Sequence, residues 1–205
     1  TGRFALLDED PVSVHDLETP GLVRANKWRA YVSITHGCDN FCTYCIVPYV
    51  RGRFQSRPAE SILSDVRALV RDGALDVTLL GQNVNSYGKD LPEGPSFSEL
   101  LAQVAEVEGL VRLRFVTSHP KDFSKDIVRE MVSHPVICPS VNLPLQSGSD
   151  RILARMNRGY TLAEYAEKVE WIREVFPEAG ITSDLIVGFP GETEQDFEAS
   201  LSALE

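Results

Sequence analysis

Three cysteines, Cys38, Cys42 and Cys45, fall within eight consecutive residues of a 205-residue chain that holds four in all. Their spacing is C-x3-C-x2-C. Thiolates are soft ligands suited to iron–sulfur clusters and zinc. Three of them on one short loop can hold three irons of a [4Fe-4S] cube and leave the fourth iron open. An open metal position belongs to a catalytic site, whereas a structural site closes its coordination sphere. Two other readings stand beside this one. Zinc would need a fourth ligand, for which His36 is the nearest candidate, although neither half of the spacing is a zinc-finger pattern. Alternatively the thiols are inert core residues. Four cysteines are too few for a disulfide scaffold. Cys138, beside Pro139, reads as a small core residue.

A loop that binds a metal must be held by regular structure, and the pattern around it is regular. Arg29 to Ile34 alternates and predicts a strand directly before the cysteines. Pro58 to Arg71 carries a helical apolar stripe with Gly73 just past its end. Strands are predicted at Leu75–Leu80, Val111–Val116, Ser140–Leu145 and Ile181–Val187. Helices are predicted at Phe97–Val107, Ser124–Val132, Thr161–Phe176 and Thr193–Glu205. Five strands alternating with helices make an α/β protein with a parallel sheet. An open doubly wound sheet and a closed or partial barrel both fit. Either architecture puts its site at the C-terminal ends of the strands. The polar clusters sit there: His36–Cys45, Gly81–Tyr87, Thr117–Pro120, Gln146–Asp150 and Gly188–Glu192.

At this point the sequence resembles the radical S-adenosylmethionine (SAM) enzymes, in which C-x3-C-x-aromatic-C follows the first strand; the aromatic position here is Tyr44. The flanks are similar to one branch, the methylthiotransferases. These are Gly37–Tyr49 with Arg51-Gly52-Arg53 and Ser56-Arg57-Pro58, then Leu80–Gly88, Thr117-Ser118-His119-Pro120, Leu143–Ser149 and Ile186–Glu192. The resemblance covers roughly residues 28–205. Gln82-Asn83-Val84-Asn85 resembles the MiaB-type tRNA enzymes; the branch that modifies a ribosomal protein would carry an Asp-Thr type sequence there. The implied fold is a partial (β/α)6 barrel, cut before its sixth strand. The implied cofactors are a [4Fe-4S] cluster on Cys38, Cys42 and Cys45, and SAM chelated at the open iron. Tyr44, Gly81, Gln82, Asn83, Gln146, Ser147, Asp184 and Gly188 are the implied cofactor-binding residues, with no catalytic group beyond the cluster ligands. The apolar members of Asp184–Gly188 read as core. The implied reaction adds a methylthio group to C2 of N6-isopentenyladenosine beside the anticodon of tRNA. It requires an electron-donor protein. It also requires a second [4Fe-4S] cluster, expected in an N-terminal domain missing from this sequence. Two positions depart from the family pattern: Asn142 stands where His is expected and Val50 where Thr is expected. Neither is a cluster ligand.

Composition bounds the rest. Hydrophobic residues are 43% and charged residues 24%, ordinary globular values that exclude disordered and fibrous classes. No apolar run is long enough for a membrane helix, and no signal peptide opens the chain. The location expected by default is the cytoplasm. The net charge of −10 argues against a simple nucleic-acid grip, which needs surplus Lys and Arg on one face. Local patches must supply it, and Arg51, Arg53 and Arg57 are the RNA-contact candidates. Arg151, Arg155 and Arg158 are spaced for one helical face, with solvated surface the plainer reading. His119 and His134, each before a proline, receive no ligand role. Residues 1–27 read as a linker from a missing N-terminal domain and 28–205 as the core. The chain lacks an initiating Met and ends inside a helical pattern, so it is expected to be a piece of a longer protein. The competing functions are a methylthiotransferase acting on threonylcarbamoyladenosine or a ribosomal protein, and a non-enzymatic iron–sulfur or zinc binding module.

Overall fold

A computed structural model describes residues 26–205. Most of the expected linker, residues 1–25, lies outside the described residues. The alternation at the start becomes strand β1 (Arg29–Ser33), with Ala30 and Val32 turned inward. It pairs in parallel with β4 (Asp76–Leu80), Arg29 opposite Asp76 and Ser33 opposite Leu80. Strand β4 pairs in parallel with β5 (Arg112–Phe115). Its first four residues are all buried, as expected of a central strand covered on both faces.

The sheet continues through single bridges. Leu113 bridges Ile137 in parallel, just ahead of β6 (Ser140–Asn142), which pairs in parallel with β7 (Gly180–Thr182). A further bridge joins Gln146 to Leu185. The parallel strands are therefore met in chain order, without the reversal that defines a doubly wound sheet. The fifth expected strand is shorter than its pattern. The Leu145 N–H donates to the Ser183 hydroxyl at 2.9 Å rather than to a backbone carbonyl, and among the described residues β7 is paired on one edge only. Its apolar continuation is core only in part: Leu185 is half-buried and packs against the core, whereas Val187 is 63% exposed.

The helices that cover the sheet keep to their stripes. Helix α2 (Ala59–Arg71) buries Ile62, Leu63 and Val66 and packs on β1. Helices α3 (Phe97–Ala105), α4 (Lys125–Ser133) and α6 (Leu162–Val175) pack in sequence against one another. Capping boxes open α3 at Ser96 and Glu99, α6 at Thr161 and Glu164, and α7 (Glu194–Ser202) at Thr193 and Asp196. Each satisfies two backbone N–H groups that a helix start leaves unpaired.

Four short elements have no periodicity to announce them. An antiparallel ribbon of β2 (Thr35–His36) and β3 (Gln55–Ser56) closes the cysteine segment at its base. The four-residue α1 (Val47–Val50) lies between them and buries no residue. Helix α5 (Asp150–Arg155) ends three residues before Arg158, so the three arginines do not share one helical face. Among the described residues no helix is long and apolar enough to cross a membrane.

Candidate metal and cofactor site

The cysteine loop leaves β2 at Gly37, whose φ of +68° favours a residue without a side chain. The ribbon passes so close that a Cβ at Gly37 would lie 2.2 Å from the Arg53 carbonyl oxygen. The next N–H, that of Cys38, donates to Gly52 O at 3.4 Å. Asp39 accepts from the Phe54 N–H at 3.2 Å and pairs with the Arg53 guanidinium at 3.2 Å. The Cys45 N–H donates to Cys42 O at 2.9 Å, turning the chain between the second and third thiols.

The far side of the loop is clamped by the end of α5. The Thr43 N–H donates to Met156 O at 3.1 Å, and its hydroxyl donates to Arg155 O at 3.2 Å. The Asn157 side-chain amide donates to Asn40 O and Phe41 O, each at 3.1 Å. Lys121 donates to Asn40 Oδ1 at 2.7 Å. These ties hold Phe41 at φ +48°, a left-handed conformation that a bulky side chain adopts only under constraint.

The three thiols are free. Cys42 is buried, while Cys38 and Cys45 are half-buried. Burial pushes the Cys38 thiol up, the Asn40 N–H partly offsets this, and the neighbouring Cys42, Cys45 and Asp39 charges push it up further. The thiols thus feel one another, and a bound cation would relieve the cost of holding them as thiolates. Among the described residues no group of three His, Cys, Asp or Glu side chains is gathered tightly enough for a single metal ion. In a cube each thiolate binds its own iron, so three separate donors on one short loop suit it.

Beside the thiols, the loops after β1, β4 and β5 carry buried polar atoms without protein partners. They are Thr35 Oγ1, Gln82 Oε1, Asn83 Oδ1, Asn85 Nδ2, Ser118 Oγ and His119 Nε2. Buried polar atoms are normally paired, and six on adjoining loops form a cradle for a polar ligand. A cavity of about 290 Å3 beside the loop has Cys38, Asn40, Asn83, Lys89, Lys121 and Asp122 in its wall, so Asn83 is the member of the cradle that lines it. Asn83 is fixed there by donating to Asp122 at 2.6 Å and to the Ser86 hydroxyl at 2.8 Å. A Cβ at Gly81 would meet Thr35 Oγ1 at 2.1 Å, so a larger residue there would displace that hydroxyl.

Two buried residues of the site were missed from sequence. His119 accepts the Lys121 N–H at Nδ1, 3.3 Å away, which leaves the proton on Nε2. Burial, reinforced by the Arg158 charge, lowers its pKa to about 3, so it is a neutral donor at physiological pH. Arg158 is 5% exposed and donates to Cys42 Sγ at 3.4 Å and to the Tyr44 hydroxyl at 3.3 Å. Gly159 at φ +67° is the signal that would have found it: a helix cannot run through that residue, so Arg158 belongs to a turn.

Other expectations need correction. Arg57 is no RNA contact. It is 2% exposed, and its guanidinium donates to Ser33 O, the Ser61 hydroxyl and Asp65 at 2.8, 2.9 and 2.7 Å. Ser147 is sealed beneath α7, where its hydroxyl meets that of Ser200 at 3.3 Å and accepts the Ser149 N–H at 3.2 Å. It cannot reach a ribose. Gln146 is half-buried at φ +73° on the bridge to Leu185. Asp184 and Gly188 are exposed beyond β7 and do not line the cavity. Tyr44 remains beside the cysteines, and burial pushes its phenol up. Arg51 and Arg53 are exposed.

The profile of the Radical SAM superfamily matches residues 32–204. The chain belongs to the radical SAM superfamily. Its solved structural neighbours agree on the fold. The radical SAM methyltransferase TsrM from Kitasatospora setae, solved with tryptophan and a SAM analogue, superposes with a TM-score of 0.68 at 20% identity over 87% of this chain and 34% of that one. The cobalamin-dependent radical SAM enzyme OxsB gives 0.68 at 14% identity over 85% of this chain and 26% of that one. Curated relatives are much nearer in sequence. A tRNA-2-methylthio-N(6)-dimethylallyladenosine synthase of Dictyoglomus thermophilum is 50% identical over 99% of this chain and 46% of its own length. Another, of Carboxydothermus hydrogenoformans, is 57% identical over 84% of this chain and 39% of its own length. The chain therefore spans about half the length of the curated relatives it matches.

Proposed function

We propose that this chain is the radical core of a tRNA methylthiotransferase that adds a methylthio group to C2 of N6-isopentenyladenosine beside the anticodon. The observation that carries the reading is the set of three thiols and six unpaired buried polar atoms on the segments that follow parallel strands, with Cys38 and Asn83 lining one cavity. The 50% identity to a synthase so named supports the choice of substrate. The five parallel strands then belong to a partial (β/α)6 barrel truncated before its sixth. Residues 28–205 are the core, and residues 1–27 join it to a preceding domain.

Cys38, Cys42 and Cys45 would hold a [4Fe-4S] cluster, and the cradle beside them suits SAM. Gln82 Oε1 and Asn83 Oδ1 are free acceptors for an ammonium group, while Asn85 Nδ2 and His119 Nε2 are free donors for a carboxylate. Bound there, the pair supplies one-electron chemistry able to break an unactivated C–H bond, beyond the reach of any side-chain base. The protein's own contribution is orientation and exclusion of water. Asn83 is anchored on Asp122, and His119 is held neutral, edge-to-face with the ring of Tyr160. Arg51 and Arg53 offer phosphate contacts on the exposed side of the loop, where RNA must present an unstacked base. A second cluster outside this sequence and a protein electron donor complete the reaction. The site of action is the cytoplasm, where tRNA is modified.

The test is incubation of the anaerobically reconstituted full-length protein with SAM, a reductant and tRNA bearing isopentenyladenosine, threonylcarbamoyladenosine or neither. Methylthiolation of the first nucleoside alone is expected. Modification of threonylcarbamoyladenosine instead moves the protein to the alternative substrate. One bound zinc with no response to SAM makes it a binding module.

A further inference from the structure

Arg158 is a buried cation. Its Nε donates to the Tyr160 hydroxyl at 3.0 Å, its second nitrogen to Cys42 Sγ and the Tyr44 hydroxyl, and its third to Pro144 O at 3.2 Å. Its guanidinium also lies 5.2 Å from the Tyr160 ring centroid. Tyr160 is itself pinned, donating to Leu145 O at 2.7 Å in the segment after β6. Among the described residues no carboxylate pairs with Arg158. A buried charge without a counter-charge is expensive, and proteins pair it or do without it. The group in contact with Arg158 that can carry a full negative charge in the working protein is the Cys42 sulfur.

We infer that Arg158 is the built-in counter-charge of the metal centre, a positioning residue that donates a charge-assisted hydrogen bond to the Cys42 thiolate and raises the reduction potential of the cluster. This rests on the iron–sulfur reading of the loop. A cube with three thiolate ligands is anionic, and one electron from the donor protein adds one negative charge to it. A fixed cation at the ligand sulfur favours the reduced form, and hydrogen bonds to cluster sulfurs act in the same sense. The rigid fork suits this task. Three anchors (Tyr160, Tyr44 and Pro144) hold the guanidinium planar against the sulfur, which a flexible lysine would not reproduce. The same residue ties the cysteine loop to the segment after β6.

The experiment uses the anaerobically reconstituted full-length protein. Reduced wild-type protein containing 15N-labelled arginine is examined by pulsed electron paramagnetic resonance, and midpoint potentials are measured for wild type, Arg158→Gln, Arg158→Lys and the exposed control Arg155→Gln. A nitrogen coupling to the reduced cluster is expected in wild type. At a fixed poise, the ratio of reduced to oxidised cluster is expected to fall about tenfold in Arg158→Gln, equivalent to ~59 mV for a one-electron couple. Arg158→Lys should recover part of the loss, and Arg155→Gln should match wild type. No coupling in a protein that shows a normal [4Fe-4S] signal overturns the inference, as does an unchanged potential in a fully loaded Arg158→Gln. If Arg158→Gln fails to load, the wild-type coupling decides alone. Absence of any [4Fe-4S] signal from wild type overturns the cluster reading instead, so the two failures are distinguishable.

Discussion

Replacing Gly37 by Ala tests whether the ribbon holds the cysteine loop in place. The added Cβ would lie 2.2 Å from Arg53 O and 2.6 Å from Gly52 O. Ordinary contact begins near 3.4 Å, so the loop or the ribbon must move by roughly 1 Å. Both clashing atoms are backbone, and a side-chain rotation cannot relieve them. The residue also sits at φ +68°, which costs an L side chain about 1–2 kcal/mol. Movement weakens the Cys38 N–H to Gly52 O bond, worth about 1 kcal/mol. The sum, about 2–3 kcal/mol, lowers Tm by about 5–10 °C in a chain of this size. Gly52→Ala is the control. It has φ +75° but no heavy atom within 4 Å of the added Cβ, so it incurs the conformational term alone, with roughly half the loss of Tm. The assays are thermal unfolding of the apo-protein and iron content after anaerobic reconstitution. Gly37→Ala is expected to lose iron while Gly52→Ala keeps it. Equal Tm and equal iron content in the two variants would refute the argument.

Arg57 and Arg53 should behave as opposites. Arg57→Met removes the cation that joins Ser33 O, Ser61 and Asp65. It should destabilise by about 2–3 kcal/mol in urea titration, and the salt dependence of RNA binding should be unchanged. Arg53→Ala removes a side chain 75% exposed. It should leave stability within about 0.5 kcal/mol and reduce the salt slope of RNA binding by about 1. His119 gives a pH prediction. Its folded pKa of about 3 lies below the ordinary 6.5, so the unfolded chain takes up a proton that the folded chain refuses. Stability from this residue is complete above pH 6.5 and falls towards pH 3, at up to about 1.4 kcal/mol per pH unit. Denaturant midpoints of wild type and His119→Gln across that range check it; the variant should lack this slope.

Much of this was legible along the chain because it is local. The C-x3-C-x2-C spacing, the stripe of α2 and the Thr161 and Glu164 capping box each depend on residues within a few positions of one another. What escaped depends on distant partners. Arg57 looks like part of a basic surface run, yet Ser33 O, 24 residues back on β1, accepts from its guanidinium and, with Ser61 and Asp65, draws it inward. Ser147 looks like a free hydroxyl until Ser200, from the last helix, covers it. Arg158 resembles the third member of a helical face, and only the turn at Gly159 sends it back to Cys42. The open choice between sheet architectures had the same cause: periodicity gives strands, while their order is set by pairings such as Leu113 with Ile137.

The central claim is that three thiols hold a cluster with one open iron that faces a cradle for SAM. The most direct measurement is pulsed electron–nuclear double resonance on the anaerobically reconstituted, reduced full-length protein. It is recorded with SAM labelled in its amino and carboxylate groups, for wild type and for Cys42→Ala. The account predicts that the label couples to the cluster held by Cys38, Cys42 and Cys45 in wild type, and that this signal disappears in Cys42→Ala. A cluster whose four irons all carry protein side chains, with no coupling to labelled SAM, would contradict it.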